Sequence, residues 1–439
     1  MKKRYIPIII SILLTIGLVS CGSPKGSGSN FSEENTSINI SSESSSSNKI
    51  NDKTNIKVIN EDYLKNEEEA LVKWEGRYEY KEKTSSLPSM MLLYFTATGF
   101  TVDFYGTELK AEFYHAKDFN GTLDGNIYYD VKVNDEVLPN LAKRRFCLPS
   151  NETRTTVDLV SGLSEKRHTA TILKMNEGAD GYTGIISIST DGYFYKRDVE
   201  KDNSNLKFMA VCASSGSGYG NLAYNEVSEN YHSRTRENSS SLHSYMYLTA
   251  RRFGADISYV GQAGWGVEFP VKKSINGVID KCGITPSNSV DGAKTTGDWD
   301  HSKYIPDVIL LHIGGNDTKN SAFDLETYQE GVVSLVTKLH TCYPNAKMVW
   351  THTNSKAGTY AINALKSQGI ISEGYLKQCI IPGIGEGETG AGSYGASNHQ
   401  SLKTHIDSSN KICETVSRLG YEIIRDQIEF SDFEYLLEK

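Results

Sequence analysis

The segment FMAVCASSGSGYGN, residues 208–221, runs from an apolar stretch directly into small residues and glycines, and it offers three hydroxyls, those of Ser214, Ser215 and Ser217. A serine that follows a strand in a turn of small residues is exposed and lies near free backbone N–H groups. Such a serine can act as a nucleophile if a nearby base accepts its proton. The pattern also fits a plain loop or a phosphate-binding turn, so it does not decide the chemistry alone.

Three later blocks carry residues that suit the same chemistry. They are GQAGWG at residues 261–266, GGND at residues 314–317 and SNHQSLKTH, which contains His399 and His405. Each block taken alone is a weak signal, and a lone histidine is commonly a surface residue. Their order is more informative: a serine, a glycine, a Gly-x-Asn-Asp and a histidine appear in turn along the chain.

The elements that must position these residues are strands alternating with helices. Near-continuous apolar runs (LKFMAVCA, ADISYVG, PDVILLHIG, AKMVWTHT and CIIPGI) are separated by segments with helical periodicity, namely Ser241–Phe253, Leu325–Thr341 and Leu402–Leu419. This alternation predicts an α/β domain with a doubly wound parallel sheet. Ligands bind at the carboxyl ends of such strands, where the first three blocks fall, and the histidine block lies immediately before or within the last helix.

The chain before that domain has a different pattern. Between Ala70 and Tyr195, short segments of period-two alternation such as GFTVDFYG, LKAEFYHA and TGIISIST are separated by polar turns. This pattern predicts antiparallel strands in an all-β sandwich or jelly roll.

The N-terminus predicts export and lipid attachment. Lys2, Lys3 and Arg4 precede an apolar run that ends in LVSC, which resembles a bacterial lipobox with Cys21 as the lipid-modified residue. A stretch rich in Ser and Asn follows and predicts a flexible tether. We therefore divide the chain into a signal peptide (1–20), a tether (21–65), a β-sandwich (66–200) and an α/β domain (201–439), and expect a lipoprotein anchored to the membrane at the cell surface.

Charge and cysteine content exclude some classes of function. The formal charge of −8 comes without a basic cluster in the mature chain, which argues against a nucleic-acid partner. The six cysteines after Cys21 form no Cys-x-x-Cys pair, so their spacing predicts neither a zinc site nor a disulfide framework. We expect no metal and no cofactor, and leave the disulfide state open.

The ordered blocks resemble those of the SGNH, or GDSL-type, hydrolases. The flanking segments WEGRYE, GFTVDFYGTELKAEF, HTATILKMNE, GSGYGN, AGWG and WDHSKYIPDVILLHIGGND are similar to carbohydrate esterase family 2, from about Lys73 to Leu419. The resemblance implies an SGNH hydrolase domain preceded by a jelly roll. It also implies a serine esterase that removes O-acetyl groups from polysaccharides such as xylan or glucomannan, and we expect the protein to be a monomer.

The resemblance assigns roles one residue at a time. It picks Ser214 among the three serines as the nucleophile and His399 as its base, which together form the catalytic pair. It implies an oxyanion hole made of the N–H groups of Ser214 and Gly264 and the side-chain amide of Asn316. His405, six residues after the base, matches a structural histidine.

The sequence departs from the family pattern at two places. Cys212-Ala213 stands where Gly-Asp precedes the nucleophile, and Ser397 stands where many relatives place an aspartate before the base. A backbone carbonyl is the first candidate to orient His399, and Glu386 or Glu388 in the preceding glycine-rich loop is the alternative. These departures leave a non-catalytic or weakly active surface glycan-binding protein as the alternative function.

Aromatic residues beside the blocks are candidates for substrate binding. Trp265, between two glycines of the second block, is expected either to pack between helices or to stack on a sugar at the mouth of the site, and Tyr219 shares this ambiguity. Asp317 is expected to accept backbone hydrogen bonds. Two other enzyme classes fit less well: an α/β-hydrolase elbow would give Gly-x-Asn-Asp no role, and the glycine spacing of a dinucleotide loop is absent.

Overall fold

The computed structural model describes residues 52–115, 126–134, 136–137, 145–149, 151–284, 296–426 and 429–436. The predicted signal peptide, Cys21 and most of the tether lie outside these residues. The residues from Asn51 to Lys439 cluster as one compact unit. None of the helices in the described part of the chain is long and apolar enough to cross a membrane.

Two antiparallel sheets form the sandwich predicted for the first half. One has the order β10-β6-β12-β4-β3, with β1 also paired to β12, and the other has the order β13-β5-β11-β7-β8, with β2 on β5 and β9 on β7. The strands are β1 (Val58–Ile59), β2 (Lys73–Glu75), β3 (Tyr78–Lys81), β4 (Met90–Leu93), β5 (Gly99–Gly106), β6 (Leu109–His115), β7 (Ile127–Val133), β8 (Glu136–Val137), β9 (Arg145–Leu148), β10 (Arg154–Val160), β11 (Lys166–Lys174), β12 (Thr183–Thr190) and β13 (Tyr193–Tyr195).

Alternation along β6 shows why these segments form a sandwich. Its side chains are alternately buried and half-buried from Leu109 to His115, so one face of the strand points into the core. Phe113 lies on the buried face beside Phe104 and Ile185, which come from the two opposing sheets. The antiparallel jelly-roll prediction is confirmed.

The second half contains a parallel sheet of the order β15-β14-β16-β17-β18 within the described residues. Its strands are β14 (Lys207–Cys212), β15 (Asp256–Val260), β16 (Val308–His312), β17 (Lys347–His352) and β18 (Leu376–Ile380). The strand order reverses between β14 and β16, so the edge beyond these two strands is the topological switch point at which doubly wound folds bind their ligands.

The helices of the described residues are α1 (Glu61–Leu64), α2 (Val199–Ser204), α3 (Tyr245–Arg252), α4 (Leu325–Cys342), α5 (Lys356–Ser367) and α6 (Leu402–Ser417). The three longest begin after a residue whose side chain accepts a hydrogen bond from the first turn, namely Asp324, Ser355 and Ser401. The cap at Ser401 fixes the start of α6, and therefore the path of the loop that precedes it.

Some side chains of the sandwich belong to the hydrophobic core of the α/β half. Phe95, Leu173 and Met175 of the sandwich are buried together with Phe208 and Tyr245 of the α/β half. Arg77 is fully buried as well, and its Nη1 donates to the carbonyls of Ile279 and Lys281 at 2.8 and 2.7 Å. The boundary between residues 200 and 201 remains a sequence-based prediction, although the change from antiparallel to parallel strands falls between β13 and β14.

Candidate active site

Ser214 lies two residues beyond the end of β14, in the turn at the switch point. The turn is closed by hydrogen bonds from the N–H of Ser217 to the carbonyl of Ala213 and from the N–H of Tyr219 to the carbonyl of Ser214, both 3.1 Å. Gly218 is required here because its φ is +73° and a Cβ would lie 2.0 Å from the carbonyl oxygen of Ser240.

The other two serines of the turn are less suited to chemistry. Ser217 is 3% exposed, and its hydroxyl donates to the carbonyl of Ala213 at 3.0 Å. Ser215 is half-buried, and among the described residues its hydroxyl contacts no base. Ser214 is therefore the serine whose hydroxyl meets a base.

His399 supplies that base. Its Nε2 lies 2.8 Å from the Oγ of Ser214, and its Nδ1 lies 2.7 Å from the carbonyl oxygen of Ser397. A carbonyl oxygen can only accept, so Nδ1 carries the proton and donates it to Ser397. Nε2 then has a lone pair free for the serine hydroxyl, which is the tautomer that a general base requires.

The backbone before His399 is folded to bring this carbonyl under the ring. Ser397 and Asn398 both have left-handed conformations, with φ of +51° and +60°. The N–H groups of these residues donate to the carbonyls of His232 and Glu229 at 3.0 and 2.9 Å, which holds the unusual backbone in place.

A backbone carbonyl thus orients the ring, as the first of the two sequence-based alternatives states. Glu386 accepts the N–H of Gly383 at 2.8 Å instead, and no hydrogen bond within the described chain joins Glu386 or Glu388 to His399. Burial lowers the pKa of His399 most, the carbonyl of Ser397 opposes this shift, and the positive charge of Lys319 lowers the pKa further. The base is therefore neutral at pH 7.

The loops after β15 and β16 hold the other predicted site residues. Gly264 has a φ of +80°, and among the described hydrogen bonds its N–H and that of Ser214 have no acceptor. The Nδ2 of Asn316 donates to the carbonyl of Trp265 at 2.8 Å, which leaves its second amide hydrogen unused. The free donors therefore come from the same three residues that the sequence assigns to an oxyanion hole.

Asp317 fixes these two loops to each other. Its carboxylate accepts hydrogen bonds from the N–H groups of three consecutive residues, Val267, Glu268 and Phe269, each at 2.8 Å. Burial of this carboxylate raises its pKa, against the effect of the three donors. Asp317 holds the backbone as expected, and the loop that it holds is the one after β15.

Trp265 is not the exposed platform that was one of its two expected roles. It is 5% exposed and packs among the side chains of the α/β core. The prediction that Trp265 offers an open face to a sugar is wrong for this conformation.

Tyr219 packs against the base, whereas His405 has a structural role in α6. The ring of Tyr219 packs on His399 with centroids 4.5 Å apart. His405 is fully buried in α6, accepts the N–H of Tyr245 through Nδ1 at 3.0 Å and has a pKa lowered to about 3 by burial. It remains a neutral structural histidine.

A candidate metal-binding cluster lies elsewhere in the described part of the chain. One ligand atom each of Asp280, His301 and Cys342 lies within 4.8 Å of the others. Asp280 is already ion-paired with Lys338, and the Nε2 of His301 lies 3.0 Å from Asp280. Burial raises the pKa of the Cys342 thiol, so these groups fit an ion-pair cluster better than a cation site.

Sequence reasoning missed a contribution from the sandwich. The turn Gly178–Asp180, together with the preceding Glu177, reaches the loops of the site: Glu177 accepts the N–H of Ala263 at 2.6 Å, and Asp180 pairs with Arg234. No local motif marks these residues, because their partners lie 54 to 86 positions away.

Known proteins with sequence similarity include a cellulase/esterase, CelE, from Acetivibrio thermocellus. It is 24% identical over 363 residues, which cover 79% of this chain and 39% of CelE. The chain therefore spans about two fifths of the length of that curated relative. No protein-family model matches the sequence.

Solved structures match over about four fifths of this chain. A family two carbohydrate esterase from Clostridium thermocellum in complex with cellohexaose has a TM-score of 0.63 and 22% identity, over 80% of this chain and 100% of that chain. An acetyl xylan esterase from the rumen bacterium Butyrivibrio proteoclasticus has a TM-score of 0.64 and 17% identity, over 82% and 98%.

The fold that the sequence blocks imply is thereby confirmed, because this chain shares the fold of the family two carbohydrate esterases, an α/β domain preceded by a jelly roll.

Proposed function

We propose that this protein is a carboxylic ester hydrolase that removes O-acetyl groups from a polysaccharide through an acyl-enzyme. The observation that supports this most directly is the 2.8 Å contact between the Oγ of Ser214 and the Nε2 of His399, with the opposite ring nitrogen bonded to the carbonyl of Ser397. A protein that only binds glycans has no use for a serine hydroxyl paired with an oriented neutral base.

The reaction proceeds in two steps, acylation of Ser214 and hydrolysis of the acyl-enzyme. His399 accepts the proton of Ser214 while Oγ bonds to the acetyl carbon, and the carbonyl oxygen becomes an oxyanion. The bond from carbon to the sugar oxygen then breaks as His399 returns the proton to that oxygen. In the second step a water gives its proton to His399, attacks the acetyl group and releases acetate, and the proton returns to Ser214.

Donors in the oxyanion hole lower the barrier of both steps. The free N–H groups of Ser214 and Gly264 and the remaining amide hydrogen of Asn316 would face the oxyanion. Each such donor is worth roughly 3 kcal/mol of barrier, so the set matters as much as the base.

For the substrate we favour acetylated plant-type polysaccharide, such as xylan or glucomannan. The similar proteins include an acetyl xylan esterase and a family two esterase solved with cellohexaose. An acetylated envelope or extracellular glycan is the alternative substrate for a surface-anchored enzyme, and the second experiment below distinguishes the two.

The first experiment compares the wild type with Ser214→Ala and Ser215→Ala on p-nitrophenyl acetate. Ser215 is the matched control, because it is a half-buried serine in the same turn. We expect Ser214→Ala to abolish release of p-nitrophenol and Ser215→Ala to retain it. An inactive wild type that still binds polysaccharide would instead establish the glycan-binding alternative.

The second experiment measures acetate released from acetylated xylan, glucomannan and a bacterial exopolysaccharide by the wild type and Ser214→Ala. Serine-dependent release from one polymer identifies the substrate. Activity limited to small aryl esters would remove the polysaccharide assignment.

We also propose that Cys21 carries a lipid that anchors the enzyme outside the cytoplasmic membrane. The test is fractionation of cells that express the full chain or Cys21→Ser. The full chain should sediment with membranes and gain the mass of acyl chains at its N-terminus, whereas Cys21→Ser should not. Equal distribution of the two proteins would refute the anchor.

A further inference from the structure

We propose that the sandwich turn around Glu177 and Asp180 belongs to the catalytic apparatus, with Glu177 positioning the oxyanion loop and Asp180 positioning His399 through Arg234 and Tyr219. This inference rests on the proposed esterase function and extends it to residues outside the α/β domain. Neither carboxylate would touch the substrate, so both are positioning residues.

Glu177 acts on the loop after β15. Its side chain is buried, and its Oε2 accepts the N–H of Ala263 at 2.6 Å. Ala263 directly precedes Gly264, whose N–H is one of the free donors. The carboxylate therefore sets the orientation of the peptide next to the one that would face the oxyanion.

Asp180 acts on the base through two contacts in series. Its two carboxylate oxygens accept hydrogen bonds from the two Nη groups of Arg234. The Arg234 guanidinium lies over the ring of Tyr219, 4.6 Å from its centroid, and that ring lies 4.5 Å from the ring of His399. The backbone N–H of Arg234 also donates to the Oγ of Ser397 at 3.0 Å, beside the carbonyl that orients the base.

The contacts of Glu177 and those of Asp180 are joined by Arg234, which lies close to both carboxylates. Glu177 Oε1 lies 3.8 Å from Nη2 of Arg234, and the guanidinium bonds Asp180 directly. One turn of the sandwich therefore fixes both the oxyanion loop and the base.

The buried charge of Glu177 is unfavourable, and packing alone does not explain why a carboxylate stands at this position. Burial raises the pKa of Glu177 to about 7, with the charge of Asp180 adding to the shift and Arg234 opposing it. The titratable and charged groups that face Glu177 are Asp180, Arg234, Lys174, Tyr219 and Cys212. A neutral amide would fill the same space without the free-energy penalty of a buried charge, which favours a role in function for the carboxylate.

The experiment uses Glu177→Gln and Asp180→Asn, with Asp103→Asn as the matched control. Asp103 is a buried sandwich carboxylate of similar kind, bonded to Arg167, Arg197 and Thr169 but to no loop of the site. We would measure kcat, KM and the pH profile of kcat/KM on p-nitrophenyl acetate. Titration of active sites with a fluorophosphonate corrects each rate for the fraction of folded protein.

We expect Glu177→Gln and Asp180→Asn to lower kcat per titrated site by about tenfold with little change in KM, because a small displacement of catalytic groups is costly. In Glu177→Gln the acid limb of the profile should also lose one ionisation and depend on His399 alone. Asp103→Asn should keep the wild-type rate and profile.

Two results would overturn the inference. One is a wild-type kcat and pH profile in both variants at full site titration, and the other is an equal loss of kcat in Asp103→Asn with an unchanged pH profile. An inactive wild type is a separate result, since it refutes the esterase function on which the inference rests.

Discussion

The side-chain amide of Asn316 donates a hydrogen bond to the carbonyl of Trp265 over 2.8 Å, and this contact joins the loop after β16 to the loop after β15. Asp317, the next residue, holds the same loop through three N–H groups. Asn316 thus braces the loop that carries Gly264, in addition to the role as an oxyanion donor that we propose for it.

Replacement of Asn316 by Ala should therefore cost more than one donor. We expect kcat to fall by about 10²- to 10³-fold, since that is the usual effect of losing one oxyanion donor, with the lost brace placing the effect at the upper end. Thr318→Ala is the control, because Thr318 lies in the same loop and makes only a 3.4 Å contact with the carbonyl of Gly315. Steady-state kinetics on an aryl acetate measure both; equal rates would contradict the assignment.

The pH dependence of kcat/KM should report the protonation of His399. Burial and the charge of Lys319 lower the pKa of this histidine below 6.5, so the part of the acid limb that His399 causes should lie below that pH, where protonation of the ring lowers activity. Lys319→Gln removes one of the charges that disfavour the imidazolium. It should move the acid limb to higher pH, whereas Lys366→Gln, on the exposed end of α5, should leave it in place. A limb unmoved by Lys319→Gln would contradict this electrostatic account.

Substitutions of Asn398 test whether the left-handed backbone beside the Ser397 carbonyl is needed for activity. At a φ of +60°, glycine is free of strain and a β-branched residue is not. We expect Asn398→Gly to keep the wild-type kcat, and Asn398→Val to lower the free energy of unfolding by about 1–2 kcal/mol and reduce kcat. Urea unfolding and kinetics of the two variants check this, and equal behaviour of the pair would show that the conformation is not needed.

Glu177→Gln should raise the free energy of unfolding above pH 4, although it should lower kcat. Because its pKa is raised from 4.5 to about 7, the folded protein binds a proton more tightly than the unfolded chain does, and the free energy of unfolding falls as the pH rises through that window. Glu177→Gln removes this loss. Relative to the wild type, its stability should rise by roughly 1–3 kcal/mol between pH 4 and pH 8 in urea titrations. A difference that does not change with pH would contradict the prediction.

Much of the α/β half could be predicted from local patterns. The segment Leu325–Thr341 was predicted as a helix and α4 spans Leu325–Cys342, because apolar periodicity and the cap at Asp324 are both local. The pairing of Ser214 with His399 follows from the resemblance to the SGNH hydrolases, which picks these two residues, and the structure places their side chains 2.8 Å apart.

The rest depends on contacts that no local pattern contains. The inward direction of Trp265 results from packing of the α/β core around it, whereas its neighbours in the sequence are glycines typical of an exposed turn. Glu177 and Arg234 read as ordinary polar residues of two separate loops. Their roles emerge only when the sandwich packs on the α/β half and brings them together.

The side chains that the sandwich contributes to the α/β core have a practical consequence for protein engineering. Met175 and Phe95 of the sandwich are buried among side chains of the parallel sheet, so a version trimmed to the α/β half would expose a hydrophobic surface to solvent. The two halves should therefore be transferred together when domains are exchanged between proteins. A search for the shortest active version should start from chains that begin before β1.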